Sequence, residues 1–363
     1  MHTERITTRL LALPLEKPYR SSLGRVIDSV GHVLVQAYSS EGHVGTGYAF
    51  LLLDHRMLIP LKSLVDELKD VAIGKDPFAV KSVWRSMIDA TRWLGPGGLA
   101  NFAICAIDVA LWDLLGKVTG RPLYMLLGGW REQVPCYRPG FWRSTPTSEF
   151  SEEAESHRRQ GFRAVKLRLG GESSLEKEID RVRTAREALG NDIALMVDAN
   201  QAWSPEAALW IGQRLQEYEI YWLEDPVAYD DLEGRARVAA ALDIPIASGE
   251  EQYTKPGFLQ LIERKAADIF NLDLERVGGI TGWLSIASLL EARNLPFAAH
   301  LVPEIQCHLI SATEKGLTVE FMPWSFPLYG EALKVEAGLI QLPKGPGIGL
   351  ELDEESIRKY ELK

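Results

Sequence analysis

Cysteine is scarce. Cys105, Cys136 and Cys307 are the only three in 363 residues. They are too few and too scattered for a disulfide framework or a zinc site. Thiols used so sparingly suit a reducing cytosol, so a cytoplasmic location is expected. Long hydrophobic runs are also missing. No stretch of about 18 consecutive apolar residues occurs, so no membrane-spanning helix is expected. The opening MHTERITTRL is polar and has no apolar h-region, which argues against a signal peptide. Positive charge is in deficit: 40 Lys and Arg face 50 Asp and Glu, a net charge of −10. That balance argues against nucleic acid as a partner.

What the chain does have is 46% hydrophobic and 25% charged residues, a globular composition. Its organising stretch reads MVDANQAW, then YWLEDPV, then PIASGEE. Each time a short apolar run ends in a carboxylate: Asp198, Glu224 and Glu250, at steps of 26 residues. A βα unit of a (β/α)₈ barrel takes about that many residues, which would bring the three acids to one barrel mouth. Unpaired negative charges so close repel and resist desolvation. A hard divalent cation with oxygen ligands removes that penalty, which points to Mg²⁺.

Around this stretch the chain divides into three parts. Residues 1 to about 54 read as strands: RITTRLLALPL, HVLVQAYSS, a turn at Ser39–Gly42, then HVGTGYAFLL. PYRSSLGRV, residues 18–26, reads as a polar loop between the first two. From Ile59 to about Lys117 apolar residues recur at helical steps, and Gly120-Arg121-Pro122 ends the last helix. From Val134 eight apolar runs alternate with amphipathic segments. Ser173 with Glu176 reads as a capping box, and Ser204-Pro205 as a helix start. The expected fold is α/β: a modified (β/α)₈ (TIM-type) barrel over residues 131–325, with or without its last helix. An α+β capping domain (1–130) precedes it, and a C-terminal segment (326–363) packs back on that domain.

Residues two apart on a strand share a face. Lys166 and Arg168 therefore point together into the barrel mouth, as do Asp198 and Asn200. The sixth, seventh and eighth runs end in Asp273, His300 and Glu320. Asp273 is placed to accept a bond from one imidazole nitrogen of His300, leaving the other for proton transfer.

These strand ends, taken in order, resemble the enolase superfamily and, within it, the mandelate racemase group. GFRAVKLRLG resembles the group's Lys-x-Lys strand; VDAN, LEDP and SGEE match its three metal-ligand strands. AAHL carries the histidine, VEF the late glutamate, and ICAIDVALWDLLGKVTGRPLYMLLGG is similar to the signature joining the two domains. The resemblance implies that Asp198, Glu224 and Glu250 hold Mg²⁺. It implies that Lys166 and the metal hold a substrate carboxylate, and that His300, oriented by Asp273, moves the α-proton. Glu320, if protonated, would donate to a carboxylate oxygen, and Asn200 would contact an α-hydroxyl. A homo-oligomer acting on a small-molecule carboxylic acid, with no membrane partner, is expected on the same ground.

One position departs from the pattern. The second residue of Lys-x-Lys, the opposite-face base of a racemase, is Arg168, and guanidinium does not readily deprotonate. The expected reaction is therefore dehydration of an aldonic or aldaric acid to a 2-keto-3-deoxy acid. The alternatives are a racemase or epimerase of a 2-hydroxy acid and, more remotely, a non-catalytic carbohydrate-binding barrel. Arg20, Ser21, Ser22 and Arg25 of the first loop suit hydroxyls and a second carboxylate. Tyr48, placed in the next loop, is expected to add a contact.

Overall fold

Three antiparallel strands open the chain: β1 (Thr3–Arg20), β2 (Val26–Ser39) and β3 (Val44–Leu51). The computed structural model describes residues 1–20, 26–52 and 55–362. Part of the expected 18–26 loop is strand: Tyr19 pairs with Ile27 and Arg20 with Val26, beyond a register shift at Pro14. The turn at Ser39–Gly42 forms as read, with Gly42 in the left-handed region (φ 88°) and its N–H on Ser39 O at 3.0 Å.

Helices α1 (Leu58–Ala72) and α3 (Leu99–Thr119) pack on this sheet, and α2 (Val80–Ala90) packs against both of them. The close approach of α3 depends on glycine in β3. A Cβ at Gly47 would stand 2.3 Å from Ala106 O and 2.5 Å from Ala110 N, inside the helix backbone. By length and hydropathy α3 could cross a membrane, but 78% of the qualifying window is buried within the protein, as a core helix requires. Its interruptions explain what it touches. Asp113 accepts from Thr46 N (2.7 Å) and Ile348 N (2.8 Å), tying β3 and the C-terminal segment to α3. Asp108 accepts from the N–H (2.9 Å) and hydroxyl (2.6 Å) of Thr281.

After the short α4 (Leu123–Leu126) come eight parallel strands: β4 (Gln133–Gly140), β5 (Ala164–Arg168), β6 (Ala194–Asp198), β7 (Ile220–Glu224), β8 (Ile246–Ser248), β9 (Ile269–Asp273), β10 (Phe297–His300) and β11 (Gly316–Glu320). Pairing of Glu320 with Tyr137 closes β11 on β4 and makes the barrel. Helices α5 (Phe150–Arg159), α6 (Leu175–Leu189), α7 (Pro205–Leu215), α8 (Leu232–Ala241), α9 (Lys255–Arg264), α10 (Ile280–Ala292) and α11 (Pro303–Ser311) follow the first seven strands. The cap of α6 is Ser174, one residue later than read, because its hydroxyl and not that of Ser173 reaches Lys177 N. Ser204 caps α7 as expected, with Pro205 in its first turn.

No α-helix directly follows β11 among the described residues, only a 3₁₀ turn at Phe326–Leu328. A hairpin, β12 (Lys334–Glu336) and β13 (Leu339–Gln341), pairs with the start of β4 instead. The final helix α12 (Glu354–Tyr360) packs on β1, where Arg9 holds Glu361 at 2.9 Å and Leu362 N meets Leu10 O at 2.8 Å. Tyr137, Met196, Trp222, Ala247, Ile269 and Ala298 form a separate buried cluster. Met196, Trp222 and Ala298 stand two residues before Asp198, Glu224 and His300. They therefore share the inward face and plug the barrel beneath its mouth.

Asp108 is fully buried, and burial pushes its carboxyl up to about 7, its bonds to Thr281 opposing. An acid raised in the folded state binds more protons folded than unfolded, so its contribution to stability falls as pH rises from about 4 to 7. At about 1.36 kcal/mol per unit, the loss is bounded at ~4 kcal/mol. Asp108→Asn should remove this slope: relative to wild type, the variant gains melting temperature between pH 5 and pH 8. Parallel melting profiles across that range would show that Asp108 ionises freely.

Candidate active site

The expected strand-end residues meet above the barrel plug. Lys166, fully buried, has its Nζ 2.6 Å from Glu224 Oε1, 3.0 Å from Glu320 Oε1 and 3.6 Å from Asp198 Oδ2. It also donates to Tyr137 Oη at 3.4 Å. Arg168, two residues on, is ion-paired with Asp198, and its Nη2 lies 3.5 Å from Glu320 Oε1. Its guanidinium sits over the Trp142 ring, 5.4 Å from the centroid. Across the mouth, His300 Nδ1 is 2.7 Å from Asp273 Oδ2, and its Nε2 faces Glu250 Oε2 at 3.2 Å and Glu320 Oε2 at 3.6 Å. The lysine–arginine strand and the histidine–aspartate pair thus flank one space.

The charges shift one another in opposite senses. Burial disfavours imidazolium, but Glu250, Asp273 and Glu320 outweigh it and raise His300 to about 9. Burial likewise opposes ionisation of Glu250, yet His300, Lys166 and Arg168 bring it down to about 2. Glu224 goes the other way: burial pushes it up to about 7, with Lys166 only partly offsetting. Glu320 is held below the usual carboxylate range, because Lys166, His300 and Arg168 outweigh its burial. Its Oε2 accepts the Leu301 N–H at 3.2 Å. Arg168 is raised as its acidic neighbours overcome burial, so it stays cationic.

The donors offered to a metal are hard carboxylate oxygens, the set Mg²⁺ prefers. Glu250 Oε2 is buried and accepts no hydrogen bond; the cationic group facing it is His300, at 3.2 Å. The carboxylates of Asp198, Glu224, Glu250, Asp273 and Glu320 outnumber the permanent cations Lys166, Arg168 and Arg276, so added positive charge fits. The detailed arrangement differs from the simple trio, however. Ligand oxygens of Asp225, Glu250 and Glu251 lie within 4.8 Å of one another, while Asp198 and Glu224 are drawn onto Lys166 and Arg168. Asp225 and Glu251 adjoin two of the expected ligands in LEDP and SGEE. Asp225 is paired with Arg235 at 3.0 Å.

A cavity of about 790 Å³ opens above the site. Its floor includes Arg168, Asn200, Glu250, Asp273 and His300; Ile27, Phe50, Leu52, Met57, Leu99 and Phe102 of the N-terminal domain form its roof. Asn200 has left-handed backbone (φ 47°), held by its N–H on Asp198 Oδ1 at 2.7 Å, so its side chain reaches the cavity. Tyr48 lies in β3 and not in a loop; it is buried, with its hydroxyl on Glu304, and the cavity lining does not include it. Ser22 and the side chain of Arg20 fall outside the described residues.

Several site residues escaped the sequence reading. Arg276 Nη1 is 3.0 Å from the same Asp273 oxygen that meets His300. Glu275 Oε1 accepts from Phe50 N at 2.6 Å and fixes the roof to the barrel. Both follow β9 directly in LDLERVGG, where charged residues just past a strand end are the available signal. Trp142 and Arg143, after β4, carry no such charge pattern around them.

Comparison with known proteins agrees with this geometry. Residues 5–128 match the N-terminal domain of mandelate racemase / muconate lactonizing enzyme, and residues 149–356 match the enolase C-terminal domain-like family. The L-talarate/galactarate dehydratase of Salmonella typhimurium is 33% identical over 99% of this chain and 91% of its own length. The 3,6-anhydro-alpha-L-galactonate cycloisomerase of Streptomyces coelicolor is 30% identical over 98% of each. L-talarate dehydratase from Polaromonas sp. JS666, solved with Mg and L-glucarate, superposes with a TM-score of 0.91 at 31% identity, covering 100% of this chain and 98% of that one. The chain therefore belongs to the mandelate racemase / muconate lactonizing enzyme family of the enolase superfamily.

Proposed function

We propose that this protein is a Mg²⁺-dependent acid-sugar dehydratase that removes the proton α to a carboxylate. The observation that carries the reading is asymmetry about the reaction space: one face holds the His300–Asp273 pair, the other an arginine locked to Asp198 and Glu320. The relatives include dehydratases of talarate/galactarate, arabinonate, gluconate and L-rhamnonate, which supports an acid-sugar substrate. A racemase needs a titratable base on each face, and Arg168 is held cationic, which disfavours that alternative here.

Asp198, Glu224 and Glu250 would hold Mg²⁺, supplying Lewis-acid charge against the substrate carboxylate as an enediolate develops. Lys166 is rigidly placed by three carboxylates to donate to the same substrate group. Asp273 fixes the His300 tautomer with the Nδ1 proton, leaving Nε2 to accept the α-proton. Glu250 is the strongest influence raising His300, and a cation held by Glu250 would offset it. The resulting imidazolium then protonates the departing β-hydroxyl, and the enol product tautomerises to a 2-keto-3-deoxy acid. Arg168 supplies fixed positive charge on the opposite face, and Asn200 contacts the α-hydroxyl.

The direct test is a screen of mono- and diacid sugars for 2-keto acid formation with Mg²⁺. In D₂O, recovered substrate should carry deuterium at the α-carbon with retention or none at all. Rapid epimerisation by wild type, abolished in Arg168→Met, would transfer the assignment to a racemase.

Two substitutions examine the parts. Asp273→Asn keeps the shape but removes the charge that supports imidazolium. Turnover should fall by about 10²-fold or more with a smaller change in KM, the pattern of a transition-state interaction. Near-native rates in both Asp273→Asn and His300→Asn would make the pair structural. Glu224→Gln removes an anionic ligand and should lower activity by roughly 10²–10³-fold or more with the fold retained. Full turnover in thorough chelator, with no metal recoverable from the protein, would overturn the metal assignment.

A further inference from the structure

Among the described residues, one cavity guanidinium has neither a part in the proposed chemistry nor a carboxylate partner. Arg143 follows β4 and lines the same space as Arg168, Asn200 and His300. Its Nε donates to Leu169 O and its Nη2 to Ala199 O at 2.9 Å, so two backbone carbonyls at the ends of neighbouring strands pin the plane of the group. Its Nη1 has no hydrogen-bond partner, and no carboxylate comes within ion-pairing distance, among the described residues. The other arginines of the cavity are taken: Arg168 by Asp198 and Glu320, Arg276 by Asp273.

The side chain also has a made-to-measure bed. A Cβ at Gly171 would lie 3.1 Å from Arg143 Cδ, and one at Gly170 would lie 2.9 Å from Nη2. Gly170 has φ 81°, where an L side chain is strained anyway. Two successive glycines after β5 thus admit the arginine against the backbone. A guanidinium held in this way loses little freedom on binding and offers charge-assisted bonds to an anion.

The roof narrows the choice of anion. Among the described residues, its apolar side chains offer no partner to a polar chain terminus. A charged distal group would therefore be driven to the cavity wall that carries Arg143. We propose that Arg143 binds a second carboxylate of the substrate, which makes the substrate an aldaric acid in preference to an aldonic one. This rests on the acid-sugar reading above and selects within it.

The experiment uses the full-length Mg²⁺-loaded enzyme and matched pairs that differ only at the distal carbon: glucarate against gluconate, and further six-carbon aldarate/aldonate pairs. Keto-acid formation gives kcat/KM, and ligand-induced melting shifts give binding independently of turnover. Wild type should favour the diacid of a matched pair in both readouts. Arg143→Met should lower kcat/KM for the diacid by about 10²-fold, the scale of a charge left without its partner, with little change for the monoacid. Arg143→Lys should keep part of the preference, because the charge remains while the pinned plane is lost. Unliganded melting temperatures of the variants control for folding. Equal losses on both members of a pair would overturn the proposal and assign Arg143 to bracing the Leu169 and Ala199 carbonyls. So would a wild type that turns over monoacids as well as diacids; the dehydratase reading would then stand. If no acid in the panel yields keto acid, the dehydratase reading fails. The melting shifts then decide Arg143 alone: a diacid-specific shift lost in Arg143→Met supports it, and none overturns it.

Discussion

Everything at the barrel mouth depends on keeping ionised groups in a place almost without water. Lys166 is buried completely among Glu224, Glu320 and Asp198. Removing one of these charges would strand the others, because an unpaired buried ion is far more costly than a paired one. The network is for that reason mutually locked. Asp198, Glu224 and Glu320 each have at least one cation, Lys166 and Arg168 each have two or more carboxylates, and these side chains have little freedom to wander. This is the preorganisation that charge stabilisation in a transition state requires, since nothing has to reorient as negative charge grows on the substrate.

The N-terminal domain earns its place through a few buried polar contacts spread along the interface. Glu275 takes the Phe50 N–H, Tyr48 bonds Glu304, Asp108 holds Thr281, and Asp113 joins β3 to the C-terminal segment. Burial pushes Glu304 up to about 7 and Glu275 well above the usual range, so both sit where ionisation is disfavoured. Their position fixes how far the apolar roof stands from the reacting groups. Chemistry therefore belongs to the strand ends, and substrate fit to the junction between roof and wall.

The asymmetry of the two faces separates this chain from a two-base racemase at the level of side-chain acidity. Arginine in place of lysine at residue 168 keeps the charge and removes the titratable proton. The stacking of Arg168 on Trp142 and its bond to Asp198 give that charge a fixed place. On the proposed reading, the guanidinium fork serves orientation where an amine would serve proton transfer.

Much of this was legible in the residues themselves. Carboxylates at equal intervals after apolar runs require one mouth, because alternation along a strand and the length of a βα unit leave little latitude. Asp273 and His300 could be matched for the same reason, being the last residues of adjacent parallel strands. Lys166 and Arg168 could be placed on one face, and Gly120 and Ser204 marked helix ends through local backbone chemistry that needs no tertiary context. Contacts between segments distant in sequence were not legible. Tyr48 looked like a loop residue suited to substrate, yet it belongs to β3, and its hydroxyl is claimed by Glu304, 256 residues away. The protonation of Glu320 depends on which cations surround it, and only packing brings Lys166, Arg168 and His300 there. Arg143 has no periodicity or motif to mark it. Its significance comes from two carbonyls, two glycines and, among the described residues, no acid within ion-pairing distance, all of which exist only once the strands have closed into a barrel. Local pattern and strand parity are properties of the chain; ion pairing and desolvation are properties of the enclosed space, and only the fold creates that.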